Sequence, residues 1–244
     1  MKLLRTACFV AVSFALLRSV SAQGFVNLNF ESANIPNGTS LGSSIPISEG
    51  MPGWSASFVS SSGSSNQATQ VTYDGISLGG DVISIVDTNV GFGFNPIQRK
   101  YSAFLFGGGG TDDQLYSAQI SQTGLVPIGT QSIQLEAQLF QGPSFIVTLG
   151  GQTISMSLLP SFSGFTYGGN IPSSLAGQLA TLTITEPPPS GVPPSMLELD
   201  NISFSSSTVV PEPGPLALSA LGGLLFGVQC CRKGFLAVFS GINP

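Results

Sequence analysis

Apolar and polar residues alternate with period two through one short segment after another, and this pattern decides most of what the chain can fold into. The segment "FVNLNFE" (25–31) sets Val26, Leu28 and Phe30 against Asn27, Asn29 and Glu31. "WSASFVS" alternates through Trp54, Ala56 and Phe58. "SIQLEAQLF" sets Ile133, Leu135, Ala137 and Leu139 on one side, and "QTISMSL" does so with Ile154, Met156 and Leu158. Successive side chains of an extended strand point to opposite faces, so period two marks a half-buried strand. "DVISIVD" and "YSAFLFG" are short apolar runs suited to buried strands, and "LATLTIT" and "MLELDNISF" complete the set. Gly, Pro, Asn and Ser punctuate these runs, and no segment before residue 215 carries a helical stripe. The economical architecture is all-β, a two-sheet antiparallel sandwich.

Charge is scarce and unevenly placed. Only 8% of the residues are charged. Between residues 23 and 210 only Arg99 and Lys100 are basic, against eleven carboxylates, a formal charge of −9. Such a body repels nucleic acid and anionic lipid, so no nucleic-acid partner is expected; cations and neutral sugars are compatible with it. The three cysteines, Cys8, Cys230 and Cys231, all lie outside this body, which excludes a disulfide framework within it. With no histidine anywhere, a Ser-His-Asp or Cys-His arrangement and any His-ligated metal centre are excluded too. The tight acidic pair Asp112-Asp113 reads as a hairpin tip, because side chains of neighbours in an extended chain diverge. Trp54 is in phase with Ala56 and Phe58, which directs it to packing rather than to a sugar platform. No catalytic residues are nominated, and a non-enzymatic protein is expected.

The two ends carry their own signals. Residues 1–22 place Lys2 and Arg5 before an apolar run, Ala7 to Leu17, and end in Val20-Ser21-Ala22, the pattern of a secretory signal peptide cut by signal peptidase before Gln23. A domain is expected over 23–205 and a polar linker over 206–210. In residues 211–233, Pro211-Glu212-Pro213 precedes an apolar stretch, Pro215 to Val228, and Arg232-Lys233 follows it. The two prolines prevent a strand from continuing. Counted through Cys231 the stretch reaches 17 residues, the lower limit for a transmembrane helix, with a basic flank suited to the cytoplasmic side. A further apolar tail, 234–244, closes the chain.

Two resemblances extend this reading. The ordered segments "NLNFE", "MPGWSA", "IPSSLAGQLATLTIT" and "LELDNISF" resemble jelly-roll domains of the galactose-binding-like and carbohydrate-binding-module type. In "MLELDNISF", Asp200 shares its parity with Ile202 and Phe204, so without a bulge it points to the core side, where a carboxylate is costly unless it is paired or coordinates a cation. By the resemblance, Glu31 and Asp200 would help hold a structural Ca²⁺, whose oxygen-rich coordination suits carboxylates and backbone carbonyls. The ordered set of Pro-Glu-Pro, apolar helix and basic pair resembles the PEP-CTERM sorting signal. That resemblance makes Pro211, Glu212 and Pro213 the recognition element and Arg232 and Lys233 its basic flank. It implies exosortase as a partner, transient anchoring in the inner membrane of a bacterium, and release to the cell surface or an extracellular polysaccharide matrix. The expected function is therefore an exported, sorted matrix protein; the alternative is an extracellular carbohydrate-binding, lectin-like module.

Overall fold

In the computed structural model the described residues are 23–75, 82–88, 95–109, 115–140, 145–161, 164–188 and 196–209. In chain order they form β1 (Ser44–Pro46), the short helix α1 (Ile47–Gly50), β2 (Ser55–Ser60), β3 (Ser65–Ala68), β4 (Gln70–Tyr73) and β5 (Val82–Val86). Then come β6 (Ser102–Phe106), β7 (Gly108–Gly109), β8 (Leu115–Leu125), β9 (Ser132–Phe140), β10 (Ile146–Leu149) and β11 (Gln152–Ile154). The set ends with β12 (Ser157–Leu158), β13 (Thr166–Asn170), β14 (Leu179–Glu186) and β15 (Met196–Ser205), with a 3-10 turn, Ser173–Leu175, before β14.

These strands make two sheets. One runs β1-β4-β5-β6-β15-β9-β13-β12, and the other β11-β10-β14-β8-β2-β3, with β7 pairing β8. Alternation works as the physics requires. Along β8 every second residue from Tyr116 to Gly124 is buried, and β14 buries Ala180, Leu182, Ile184 and Glu186. The inward residues of both sheets meet in one core that includes Ile120, Ile133, Leu135, Leu182, Ile184, Leu197 and Leu199. Phe30 stacks on Trp54 within it, with ring centroids 5.5 Å apart, and the Trp54 indole N–H donates to the Asn27 carbonyl at 3.0 Å. Trp54 is thus a packing residue, only 4% exposed.

Several expectations are corrected. The antiparallel jelly roll becomes an all-β, two-sheet domain of mixed strand direction, because β4 and β5 run parallel, with Thr72 beside Ser84 and Tyr73 beside Ile85. Asp74 turns the chain in the left-handed region (φ 44°), and the Asp87 amide and the Ser84 hydroxyl tie back to the Asp74 carboxylate and the Gly75 carbonyl. "FVNLNFE" is not a strand. Asn27 (φ 50°) and Phe30 (φ 55°) take left-handed conformations and close a turn through Phe30 N–H to the Asn27 carbonyl. The segment forms no ladder: it meets the sheets through an isolated bridge of Gly24 to Leu125 and through single hydrogen bonds such as Ile202 N–H to the Leu28 carbonyl at 2.9 Å. "QTISMSL" breaks at residues 155–156, so β11 belongs to one sheet and β12 to the other. The membrane-helix component of the expected fold is also withdrawn. Among the described residues no helix is long and apolar enough to cross a membrane. The signal segment 1–22 and the segment 211–233 on which that helix was placed lie outside the described residues.

The β11–β12 corner packs tightly on β13. A Cβ at Gly169 would lie 2.6 Å from Ile154 Cγ2, 2.7 Å from the Ser155 carbonyl and 2.9 Å from Met156 Sδ. Gly169→Ala is expected to destabilise the domain by about 1–3 kcal/mol, the usual cost of overpacking. Urea denaturation measures it, and an unchanged midpoint would show that the corner yields freely.

Candidate functional site

Two features of the folded body stand out, an acidic sheet face and a polar groove. The first is set by β15. Leu197 and Leu199 belong to the main core, so Glu198 and Asp200 take the opposite face. That face is covered as well: Val86, Phe104 and Phe106 form a second apolar cluster there, with Val82, Phe140 and Met196 against it. The parity expected for Asp200 fails at a bulge. Asp200 pairs with Glu136 and Ser203 with Gln134, so one extra residue enters β15 between them, and Asn201 turns left-handed (φ 50°). The bulge returns Ile202 to the core and leaves Asp200 on the far face, buried to 1% exposure.

Glu31 and Asp200, widely separated in the chain, are brought to the same loop. Glu31 Oε1 accepts the backbone N–H groups of Lys100 and Tyr101, each at 3.0 Å. Asp200 Oδ2 accepts the Gln98 N–H at 3.2 Å, and Oδ1 accepts the Asn201 N–H at 2.6 Å. Glu136 lies directly across from Asp200, and Glu198 is two residues before it on the same face. Burial pushes the Asp200 carboxyl up to about 7, against the Asn201 and Gln98 amides that lower it, and the Glu31 and Glu136 charges add to the rise. Burial likewise pushes Glu198 to about 7, opposed by a hydrogen bond to the Ser102 side chain.

Oxygen donors of this kind suit calcium by type. Glu136 Oε2 and Glu198 Oε1 are buried without a hydrogen-bond partner, which is what an absent cation or a bound proton would explain. Among the described residues no three acidic, His or Cys side chains come close enough together to hold a metal ion, so main-chain carbonyls would have to complete any such site. Glu136 and Glu198 were missed in the sequence. Their outward parity was readable, but the cross-strand neighbours that cover and crowd them depend on sheet order.

The second feature lies where β13 meets the β11–β12 corner. Two adjoining hollows share Asn170 and Ile171. One, of about 410 Å³, presents Thr153, Ser155 and Ser157. The other, of about 530 Å³, presents Thr130, Gln131, Ser173 and Thr208. No charged residue lines either. Thr153, Ser155, Gln131, Ser173 and Thr208 are exposed. Asn170 is itself committed: its Oδ1 accepts the Val209 N–H at 2.8 Å and its Nδ2 donates to the Val209 carbonyl at 3.2 Å, pinning the end of the described chain beside the hollows. Ile128, next to Gly129 of the second hollow, is 90% exposed. Nothing in the sequence marked these residues, because they come from four separate segments.

The sorting residues Pro211, Glu212, Pro213, Arg232 and Lys233, and the pair Asp112-Asp113, lie outside the described residues. Comparison with protein families, with curated proteins and with solved structures returns no match. The reading as an exosortase-sorted, transiently membrane-anchored matrix protein is therefore corrected. No family model supports the sorting tail, and among the described residues no helix could anchor the chain in a membrane.

Removing the Glu31 acceptor tests the loop tie. Glu31→Ala leaves the Lys100 and Tyr101 amides without their charged partner and is expected to cost about 1.5–3 kcal/mol, the range for hydrogen bonds to charged groups. Glu31→Gln, which keeps an acceptor oxygen, is expected to recover part of the loss. Denaturant titration of both variants reads the difference; equal stability of wild type and Glu31→Ala would show that the tie contributes nothing.

Proposed function

We propose that the body is a non-catalytic, lectin-like module that binds neutral extracellular glycans in the groove formed by the two hollows. The observation that carries this reading is the lining itself: exposed hydroxyl and amide side chains with no charge, around Asn170 and Ile171. Each volume falls in the range of ligand-binding clefts, where a few convergent polar groups fix orientation. Sugar hydroxyls both donate and accept, as Ser, Thr and Gln side chains do. The surrounding body, with its formal −9 between residues 23 and 210, turns away polyanionic ligands and leaves neutral ones unopposed.

Calcium enters this proposal as a structural ion. Glu31 and Asp200 would hold it, and its charge would offset the like carboxylates on the outer face of β15. Adding calcium is expected to raise the thermal midpoint and excess chelator to lower it again. A melting curve indifferent to both removes calcium from the proposal.

Binding is tested with the purified chain on an array of neutral and acidic glycans, followed by titration calorimetry on the best responder. Saturable binding to one neutral class is expected. Thr153→Val and Ser155→Ala together are expected to weaken it by at least tenfold, the equivalent of about 1.4 kcal/mol. Absence of binding across the array, or binding untouched by the double variant, overturns the assignment to this groove.

A further inference from the structure

The β4–β5 junction holds two buried acids that the groove and the Glu31 loop do not use. Asp74 is fully buried and Asp87 is 3% exposed. The Asp87 N–H donates to Asp74 Oδ1 at 2.6 Å, and the Tyr73 hydroxyl donates to Asp87 Oδ2 at 2.7 Å. The Asp87 side chain adds to the rise of the Asp74 carboxyl, while Asp74 Oδ2 is buried without a hydrogen-bond partner. Two adjacent carboxylates cannot both be ionised in such a setting without strong repulsion. A proton held by this pair removes the like-charge contact and accounts for the orphaned Asp74 oxygen.

We infer that Asp74 and Asp87 share one proton as a carboxyl clamp, and that losing this proton loosens the β1–β4 edge from the rest of its sheet. The edge is dependent on this point. β4 reaches the sheet only through β5, in a parallel ladder of two residue pairs. Among the described residues, further ties at the junction include the Asp74 N–H to the Ile85 carbonyl and the Ser84 hydroxyl to the Gly75 carbonyl. Among the described residues, the charged and titratable groups around the clamp are Tyr73 on β4, Lys100 and Tyr101 before β6, and Glu31 of the N-terminal segment beyond Lys100. Lys100 is the one cation among them; it is solvent-exposed, and its ammonium lies 4.6 Å from the Tyr101 ring centroid.

Burial first, and the Asp87 carboxyl second, raise Asp74 to about 7. An unfolded aspartate loses its proton near pH 4. The folded chain therefore holds a proton that the unfolded chain has released. The stabilisation is complete below about pH 4, erodes as pH rises, and is lost as pH passes through neutrality.

Hydrogen exchange of the full chain, followed by mass spectrometry from pH 6 to 8.5 and corrected for the intrinsic rate, tests the clamp. Protection of a peptide covering residues 70–75 is expected to fall at least tenfold across that range, while a peptide within β14 falls much less. Asp74→Asn, which keeps a neutral donor facing Asp87, is expected to flatten the fall; Asp87→Asn provides the same test if the first variant does not fold. An equal fall in both peptides, or a fall unchanged in the folded variant, overturns the clamp. Restoration of protection at pH 8.5 by added calcium also overturns it, because a cation rather than a proton would then join the two carboxyls.

Discussion

The bulge in β15 is the constraint on which the rest of the acidic face depends. β15 lies between β6 and β9, and its residues reach both faces of the sheet. Without the extra residue, Ile202 and Phe204 would follow Glu198 and Asp200 to the far face, away from the main core that holds Leu197 and Leu199. With it, Ile202 stays inside and its N–H reaches the Leu28 carbonyl at 2.9 Å, anchoring the N-terminal segment. Asp200 is turned instead to the loop before β6. One left-handed asparagine thus lets a buried carboxylate and Ile202, two residues apart, take opposite faces of the sheet.

The strands were largely legible because their physics is local. β2, β9, β14 and β15 fall on segments whose own pattern marks them as strands, and β14 buries every second residue; β8 alternates as regularly but was not singled out. "FVNLNFE" alternates equally well and is still not a strand. Its asparagines satisfy the backbone otherwise: Asn27 Oδ1 accepts the Ser32 N–H at 2.9 Å, and its amide donates to the Pro52 carbonyl at 3.1 Å. Asparagine tolerates the left-handed region and bonds its own neighbourhood, so it can override a weak alternating pattern. Phe30 is then buried by a turn rather than by a pleat.

What was not legible is what depends on sheet order. Glu31 and Asp200 could be placed at the two ends of the domain, but that both would end on the same loop, accepting its amides, is a tertiary fact. Asp87 closes the apolar run "DVISIVD", and nothing in the sequence singled out Asp74. They meet only because β5 lies parallel to β4, an arrangement that no local pattern specifies. The groove around Asn170 is similar: Thr130, Ser155, Ser173 and Thr208 carry no motif, and only the β11–β12 corner and the pinned end at Val209 bring them together.

A chain with two basic residues across its whole body has few ways to hold buried carboxylates. It uses three here. Some are tied to main-chain amides, as Asp200 is. Some are set beside another carboxyl, as Asp74 is beside Asp87. Others, such as Glu198 and Glu136, retain an oxygen with no protein donor. Even the amide ties do not exempt Asp200, whose carboxyl is pushed up by burial to about 7. The carboxyls of the covered face are therefore where a small positive species from the medium would act: burial raises Glu198 and Asp200 to about 7, and the sequence supplies no basic side chain on β15 or β9 to neutralise them.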